Sequence, residues 1–424
     1  MPHRGPSAAL PLTVSGKMQQ RGSEVLTKFP LPTSAEDMPS SPIRATSGHI
    51  PALDGIRGVA AATVFIYHYG GGARSSVFVV HLAGMAIHLG WAGVSLFFVL
   101  SGFLITGILL DSMQRPQWWK TFFVRRALRI FPLYYFALFA VIVVGLLLQI
   151  PWSQIFPIWP LFLYLQGFPH VAKIETLSSI FIVGHLWSLA VEEQFYLVWP
   201  MLLLFASRRN AVRCLCVAVF LGSLIFRLWF FGFHHNSEWA LYFIGGRAGE
   251  MTAGGFLAAS LRGSDRERAQ IFAAARPVLV SSLAVIMAIV WWANYTDARG
   301  PWMGTLGITF FSLLFASVIA LCLKPGWTER VFSLPMLRWL GKVSYGIYVY
   351  HLLLYPLFAW VTHQLIPNAG GKKYLFVLAA VASVGTLTTA WVSFAFFESR
   401  FLRLKGSLGK PQPVAANDTV TVTQ

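Results

Sequence analysis

The sequence has few charged residues. Only 12% of its 424 residues are Asp, Glu, Lys or Arg, whereas 56% are hydrophobic, and the mean hydropathy is +0.62. A chain of this composition cannot hide its apolar surface inside a soluble core. The low charge therefore excludes a soluble globular protein and predicts a polytopic membrane protein.

Acidic residues are the scarcer of the charged residues. The chain has 16 Asp and Glu against 33 Lys and Arg, which gives a formal charge of +17. In a soluble protein this excess would suggest a nucleic-acid partner. Here the cations fall in short patches between apolar runs, a pattern that sets membrane orientation. We therefore expect membrane lipid, and no nucleic acid, as a partner.

Cysteine is also scarce. Cys214, Cys216 and Cys322 lie inside or beside apolar runs. They have neither the even count of a disulfide framework nor the spacing of a four-ligand zinc site. We expect buried packing residues and no metal site.

Apolar segments long enough to cross a bilayer fill the middle of the chain. A hydrocarbon core of roughly 30 Å requires about 20 apolar residues in a helix, so the predicted fold class is all-α. The flanking residues 1–50 and 401–424 are polar and are predicted to be disordered tails, which leaves a membrane domain at 51–400. The ten predicted spans are 52–73, 89–110, 129–150, 185–206, 212–233, 240–261, 277–295, 302–323, 343–366 and 374–397.

One further apolar stretch, residues 156–168, is short and contains Pro157 and Pro160. If this stretch does not cross the membrane, the chain has ten spans and both termini lie on one side. Most Lys and Arg residues of the loops then lie on that same side. By the positive-inside rule that side is cytoplasmic. The alternative, a full crossing, would turn the basic segment 207–213 outward, so we expect ten spans with both termini in the cytoplasm.

The first predicted span, LDGIRGVAAATVFIYHY, contains ionisable residues that lipid disfavours. Arg57 and His68 share one helical face, because eleven positions correspond to three turns plus about 20°, and Asp54 joins that face. The helical rise separates Arg57 from His68 by roughly 16 Å, which places His68 in the bilayer interior or beyond its middle. The helix either lines a polar cavity or carries an interfacial Asp/Arg pair and an interfacial histidine.

Ionisable residues occur at similar depths in other predicted spans. The fourth contains Glu192 and Glu193, the sixth contains Arg247 and Glu250, and the ninth contains His351. Such groups normally face a polar interior, so one cavity could hold them all. Adjacent glutamates point about 100° apart, and only one is expected at the site. Alternatively, Arg247 and Glu250 form a structural ion pair, and His351 caps a local hydroxyl network.

A cluster of cations precedes the third span. Lys120, Arg125, Arg126 and Arg129 gather at the start of one helix. Arginine binds phosphate oxygens bidentately, and a helix N-terminus adds positive potential. The cluster is typical of a phosphate site, although orientation by the positive-inside rule alone also explains it.

Five polar-containing sequence blocks follow one another along the chain: LDGIRGVAAATVFIYHY, GVSLFFVLSGFLIT, FVRRALRIFPLYY, GHLWSLAVEEQFYLVWP and GKVSYGIYVYHLLLYP. In this order they resemble the integral-membrane acyltransferase-three family. Members are bacterial enzymes that O-acylate sugars of surface polysaccharides and related glycans. The family's pattern of a basic residue and a histidine separated by ten residues falls on Arg57 and His68.

The resemblance implies an acyltransferase in the bacterial cytoplasmic (inner) membrane. Its donor would be an acyl-CoA, usually acetyl-CoA, reached from the cytoplasm, and no cofactor would be permanently bound. The acceptor would be a glycan or a lipid-linked saccharide. His68 would be the catalytic histidine, acting either as general base or as a transient acyl carrier.

The other polar residues then acquire expected roles. Arg57 marks the cytoplasmic entrance, and Asp54 holds it. Glu192 or Glu193 would fix the tautomer of His68. The predicted oxyanion donors are Ser101, His351 and Arg247, and Glu250 is the expected partner of Arg247. The predicted ligands of the CoA phosphates are Arg125, Arg126 and Arg129.

A second function class is compatible with the same buried ions. They could line the path of a secondary transporter for a glycan or an organic anion. Such transporters are commonly built from related halves with interrupted spans in corresponding positions. The two halves of this sequence show no convincing repeat, so the pattern favours the acyltransferase.

Overall fold

The fold is described from a computed structural model of the chain. The structure describes residues 49–70, 78–172, 176–177, 180–206, 208–293, 296–368 and 370–407. Most of the two predicted disordered tails, residues 1–48 and 408–424, therefore lies outside the described residues.

The described part of the chain is predominantly helical. Its strands, β1 (Thr176–Leu177) and β2 (Phe181–Ile182), form one short antiparallel pair. The longer helices are α1 (Pro51–Tyr69), α2 (Phe78–His88), α3 (Ala92–Ser112), α4 (Trp118–Leu147), α5 (Trp187–Phe205), α6 (Arg209–Gly232), α7 (Ile244–Ser260), α8 (Asp265–Ala293), α9 (Ile308–Cys322), α10 (Pro335–Leu353), α11 (Tyr355–Leu365) and α12 (Gly371–Ser393).

Shorter helical segments connect these helices. A 3₁₀ turn at Gly184–Leu186 leads into α5, and π-helical turns at Met303–Gly307 and Phe394–Glu398 precede α9 and follow α12. The remaining segments are Leu89–Trp91, Trp152–Ile155, Phe156–Ile158, Trp159–Phe162, Pro169–Ala172, Ser237–Tyr242, Trp327–Phe332 and Ser399–Ser407.

Seven helical segments within the described residues are long and apolar enough to cross a membrane. They are Ala83–Ser112, Trp118–Leu147, Gly184–Phe205, Arg209–Gly232, Asp265–Ala293, Met303–Cys322 and Gly371–Leu404. The three other predicted spans correspond to α1, α7 and α10 with α11, which are helical but less apolar. The helical fold class is therefore confirmed, and the count of ten crossings remains a prediction.

Helix α7 lies on the inside of the bundle. Thirteen of the 17 residues of α7 are buried, whereas four of the 24 residues of α6 are buried. A helix shielded by its neighbours needs no continuous apolar surface, since lipid does not reach it. This shielding explains how α7 accommodates Arg247 and Glu250.

The short apolar stretch at 156–168 does not form a spanning helix, as expected. It contains the 3₁₀ turn Phe156–Ile158 and the four-residue helix Trp159–Phe162. Tyr164 then adopts a left-handed backbone conformation with φ of 54°. These pieces are far shorter than the about 20 residues of a crossing.

Two sequence interpretations need adjustment. Cys216 and Cys322 are buried as expected, but Cys214 is exposed, because it lies on the outward face of α6. The helix Ser399–Ser407 also continues beyond the predicted tail boundary at residue 400. The first part of the predicted C-terminal tail is therefore helical.

Glycines bring two pairs of inner helices into backbone contact. A Cβ atom at Gly341 of α10 would lie 1.9 Å from the backbone oxygen of Asp54 in α1. A Cβ atom at Gly254 of α7 would likewise lie 1.9 Å from the backbone oxygen of Val99 in α3. Small residues permit such close helix approach in membranes.

We predict that Gly341→Ala destabilises the protein, because the added methyl group must force α1 and α10 apart. Overpacking of this kind costs about 1–3 kcal/mol, which would lower the thermal unfolding midpoint of the purified protein in detergent. Gly222→Ala is the matched control, since a Cβ atom there meets nothing within 4 Å. Equal midpoints for the two variants would contradict the close packing.

Candidate active site

A cavity of about 290 Å³ opens at one end of the bundle. We call it the histidine cavity. Its lining comes from α1, α3, α5, α7 and α10 and from the segments that precede α3, α5, α7 and α9. The polar and aromatic lining residues are Tyr67, His68, Trp91, His185, Trp187, Tyr242, Arg247, Asp297, Arg299 and Tyr348.

Three imidazole rings form a row at this cavity. The ring centroid of His351 lies 5.0 Å from that of His68 and 4.9 Å from that of His185. His68 is exposed to the cavity in the last turn of α1, whereas His185 and His351 are buried. His68 therefore lies at the end of its helix, where its ring reaches the cavity.

Each imidazole has one nitrogen next to a backbone carbonyl oxygen. Nδ1 of His68 lies 2.9 Å from the Val64 oxygen, Nε2 of His185 lies 3.2 Å from the Val349 oxygen, and Nδ1 of His351 lies 2.7 Å from the Tyr348 oxygen. A carbonyl only accepts, so these nitrogens carry the protons of the neutral rings. The other nitrogen of each ring is then a lone-pair acceptor, which is Nε2 in His68.

Arg247 is buried in the wall of the same cavity. Its Nε lies 2.9 Å from Oε2 of Glu250 in an ion pair. Its guanidinium also lies over the rings of Phe98 and Trp187, at 5.3 and 5.4 Å from their centroids, and donates to Ser95 at 3.5 Å. Paired charge and aromatic contacts offset the cost of burying a cation. The expected pair of Arg247 and Glu250 is therefore present.

A second cavity of about 90 Å³ lies behind the first. We call it the arginine cavity. Arg57 of α1 and Arg126 and Arg129 of α4 line it together. Asp54 accepts a hydrogen bond from Arg57 at 2.9 Å and also contacts His49. The expected contact between Asp54 and Arg57 is present, and three guanidinium groups face one small space.

Glu192 is held at the arginine cavity by two hydroxyl groups. Ser101 donates to its Oε1 at 3.0 Å, and Tyr196 donates to its Oε2 at 2.7 Å. The adjacent Glu193 is not a lining residue of either cavity, and its Oε1 has no hydrogen-bond partner among the described residues. As expected for neighbours on a helix, only one of the two glutamates faces the site.

The two cavities lie back to back across two side chains. Val94 of α3 and Tyr348 of α10 line both. The Tyr348 hydroxyl donates to the backbone oxygen of His185 at 2.5 Å and also contacts the hydroxyl of Ser188. Tyr348 therefore forms part of the wall between the two cavities and also holds the backbone of His185 in place.

The structure does not bring the glutamates to His68. Glu192 lies seven residues after His185 along α5, which is roughly 10 Å of helical rise away from the imidazole row. Val64, rather than a carboxylate, fixes the tautomer of His68. Glu192 therefore faces the arginine cavity rather than His68, which does not favour the expected orientation of His68 by Glu192 or Glu193.

Three other expected roles also change. Ser101 lines the arginine cavity with Glu192 and does not line the histidine cavity. Neutral His351 donates to a carbonyl and offers a lone pair, so it is an acceptor rather than an oxyanion donor. Arg125 is not among the lining residues of the arginine cavity, because its neighbour Arg126 occupies the inward face of α4.

Sequence reasoning missed His185 and Tyr348 as site residues. His185 belongs to the quoted block GHLWSLAVEEQFYLVWP, but it precedes the helix, where helical periodicity assigns no face. Tyr348 lies three residues before His351 and belongs to the hydroxyl network predicted around that histidine. The spacing gave a signal for both residues. His185 lies about two helical turns before Glu192, and Tyr348 lies about one turn before His351.

The comparisons with known proteins agree on one family. The model of the acyltransferase domain matches residues 50–398. Peptidoglycan O-acetyltransferase OatA of Listeria monocytogenes is 27% identical over 377 residues, which are 84% of this chain and 56% of the relative. No solved structure gives a significant match.

Two further relatives have similar coverage. YrhL of Bacillus subtilis, whose name as a peptidoglycan O-acetyltransferase is provisional, is 26% identical and covers 82% of this chain and 54% of its own. A Staphylococcus aureus protein with a provisional O-acetyltransferase name is 27% identical, with 83% and 57% covered. The chain thus spans about half the length of these relatives. The domain match over most of its length establishes that the chain belongs to the acyltransferase family.

Proposed function

We propose that this protein is a membrane-embedded O-acyltransferase that moves an acyl group, the acetyl group in particular, from acyl-CoA to a hydroxyl of a cell-surface or exported glycan. The observation that carries the proposal is the pairing of two cavities. One presents the lone-pair Nε2 of His68, and the other gathers three arginines. The names of the relatives, all O-acetyltransferases, support the acetyl group and a glycan acceptor.

The arginine cavity is the proposed donor site. Arg57, Arg126 and Arg129 would bind the phosphates of CoA, since guanidinium groups form charge-assisted hydrogen bonds with phosphate oxygens. The long pantetheine arm of CoA would carry the thioester past Val94 and Tyr348 to His68. Glu192, held by Ser101 and Tyr196, would shape this donor site instead of orienting His68.

The histidine cavity is the proposed acceptor site. Aromatic rings and polar groups line it, a combination suited to the faces and hydroxyls of a saccharide. His68 would act on the hydroxyl as general base or would first accept the acyl group itself. Arg247 is the proposed oxyanion donor, because its guanidinium lines the cavity and is held in place by Glu250.

The proposed topology follows from the charges of the loops. Ten crossings with both termini in the cytoplasm put the arginine cavity on the cytoplasmic side, where acyl-CoA occurs, and the histidine cavity on the opposite side. The membrane would be the bacterial cytoplasmic membrane. A glycan or lipid-linked saccharide would then be acylated at the outer surface.

We predict that His68→Asn abolishes acyl transfer while preserving the fold. The amide of asparagine can still donate to the Val64 carbonyl, as Nδ1 of His68 does. It has no counterpart of the basic Nε2. Transfer of label from acetyl-CoA to cell-surface glycan should fall at least about 100-fold at equal expression. His363→Asn is the matched control, since His363 is exposed near the end of α11. Unchanged transfer by His68→Asn would refute the proposed role of His68.

We further predict that Arg126→Gln and Arg129→Gln weaken the binding of acetyl-CoA. Each loses a charged hydrogen-bond donor, and such bonds contribute about 1.5–3 kcal/mol, so the apparent KM should rise about tenfold or more. Arg125→Gln should have a smaller effect, because Arg125 does not line the cavity. Lys372→Gln with Lys373→Gln should leave KM unchanged. If all of these substitutions changed KM equally, Arg126 and Arg129 would serve only to orient the protein in the membrane.

A further inference from the structure

His185 presents a buried lone pair that has no partner within the described residues. Its side chain is 7% exposed and lines the histidine cavity. Its Nε2–H donates to the Val349 carbonyl at 3.2 Å, so the neutral ring has its lone pair at Nδ1. No hydrogen-bond partner of that nitrogen is present among the described residues. A buried acceptor without a partner is unfavourable, which favours a hydroxyl ligand at this position.

The distance between His185 and His68 suits a reaction between them. Because each ring centroid lies about 5 Å from that of His351, the two centroids are within about 10 Å of each other. Both rings also line the histidine cavity, so a hydroxyl held in that cavity can lie about 3 Å from an acyl carbon on His68 and about 3 Å from His185. The backbone of His185 is held by the Tyr348 hydroxyl, so the ring has a fixed support.

His68 cannot serve as base once it carries an acyl group. Acylation uses the lone pair of Nε2, and Nδ1 still donates to the Val64 carbonyl. A second group must therefore take the proton of the acceptor hydroxyl. His185 is the other imidazole that lines the histidine cavity within the described residues. Asp297 also lines it, but its Oδ1 accepts from the backbone N–H of Arg299 at 2.9 Å.

We propose that His185 is the general base for a second half-reaction, in which the acceptor hydroxyl attacks an acyl group carried by His68. This inference rests on the proposed function and deepens it. It assigns separate roles to two histidines, and it selects the covalent version of the mechanism.

The two steps balance as follows. First, Nε2 of His68 attacks the thioester carbon, the carbon–nitrogen bond forms, the carbon–sulfur bond breaks, and CoA leaves as the thiolate. Then the acceptor oxygen attacks the acyl carbon, the carbon–nitrogen bond breaks, and the hydroxyl proton passes to Nδ1 of His185. His68 returns to its neutral form, and His185 releases its proton to water.

The test separates the two half-reactions in the full-length protein. Exchange of labelled CoA into acetyl-CoA, without acceptor, reports the first step, and label transfer to glycan reports both. His185→Gln is the informative variant, since its amide can replace Nε2–H as donor to Val349 but offers no basic nitrogen. We expect exchange within about twofold of wild type and transfer reduced at least about 100-fold. His68→Asn should lose both activities.

Added hydroxylamine checks the same assignment without relying on glycan binding. It is a strong nucleophile that needs no base, so His185→Gln should acetylate it at close to the wild-type rate. His363→Gln is the matched control and should resemble wild type in every assay. Asp297→Asn should retain more transfer than His185→Gln, because the amide oxygen still accepts the hydrogen bond from the Arg299 backbone N–H.

Several results would overturn the assignment. Glycan transfer by His185→Gln close to wild type would do so, as would loss of exchange together with transfer in both His185→Gln and His185→Asn. Loss of transfer in Asp297→Asn alone would identify the carboxylate as the base. Wild-type transfer without CoA exchange would exclude the acyl-His68 intermediate, whereas the absence of any wild-type transfer to glycan would refute the proposed function itself.

Discussion

The burial of ionisable side chains among helices is the constraint on which this structure depends. Charged groups in lipid are costly unless they are paired, hydrogen-bonded or exposed to water. The protein meets this condition by placing α7 inside the bundle, where Glu250, Phe98 and Trp187 surround Arg247. The lipid-facing helices, such as α6, are correspondingly more apolar and less buried. The polar interior that results is what allows two cavities to exist within a membrane domain.

Backbone carbonyl groups determine the chemistry available at the larger cavity. Because the backbone oxygens of Val64, Val349 and Tyr348 each accept a hydrogen bond from one imidazole N–H, every ring of the row retains one lone pair. The row is therefore a set of acceptors rather than donors. In the proposed mechanism, positive charge for an oxyanion comes instead from Arg247. Basic and electrophilic functions thus lie on different helices that face the same cavity.

The sequence predicted the features that depend on one helix or on local spacing. The face shared by Arg57 and His68, the ion pair of Arg247 and Glu250, and the basic cluster of α4 all follow from helical periodicity. Relations between helices were less predictable. Periodicity places Glu192 on a face of α5 but gives neither its height relative to His68 nor its contact with Ser101.

His185 illustrates the same limit at the end of a helix. It lies in a 3₁₀ turn, so its direction depends on how that turn packs against α10. The helical class was predictable because it needs only composition and segment length. The inner helix α7 is less apolar than the lipid-facing helices, since shielding from lipid relaxes the need for apolar residues.

The central claim is that an acyl group passes from the arginine cavity on one side of the membrane to the histidine cavity on the other. The most direct measurement uses the full-length protein in sealed vesicles with a single known orientation, with acetyl-CoA confined to one side and a glycan acceptor to the other. The account predicts acetylation only when acetyl-CoA is on the side of Arg126 and the glycan is on the side of His68. Acetylation with both substrates confined to the same side, or with their sides exchanged, would contradict it.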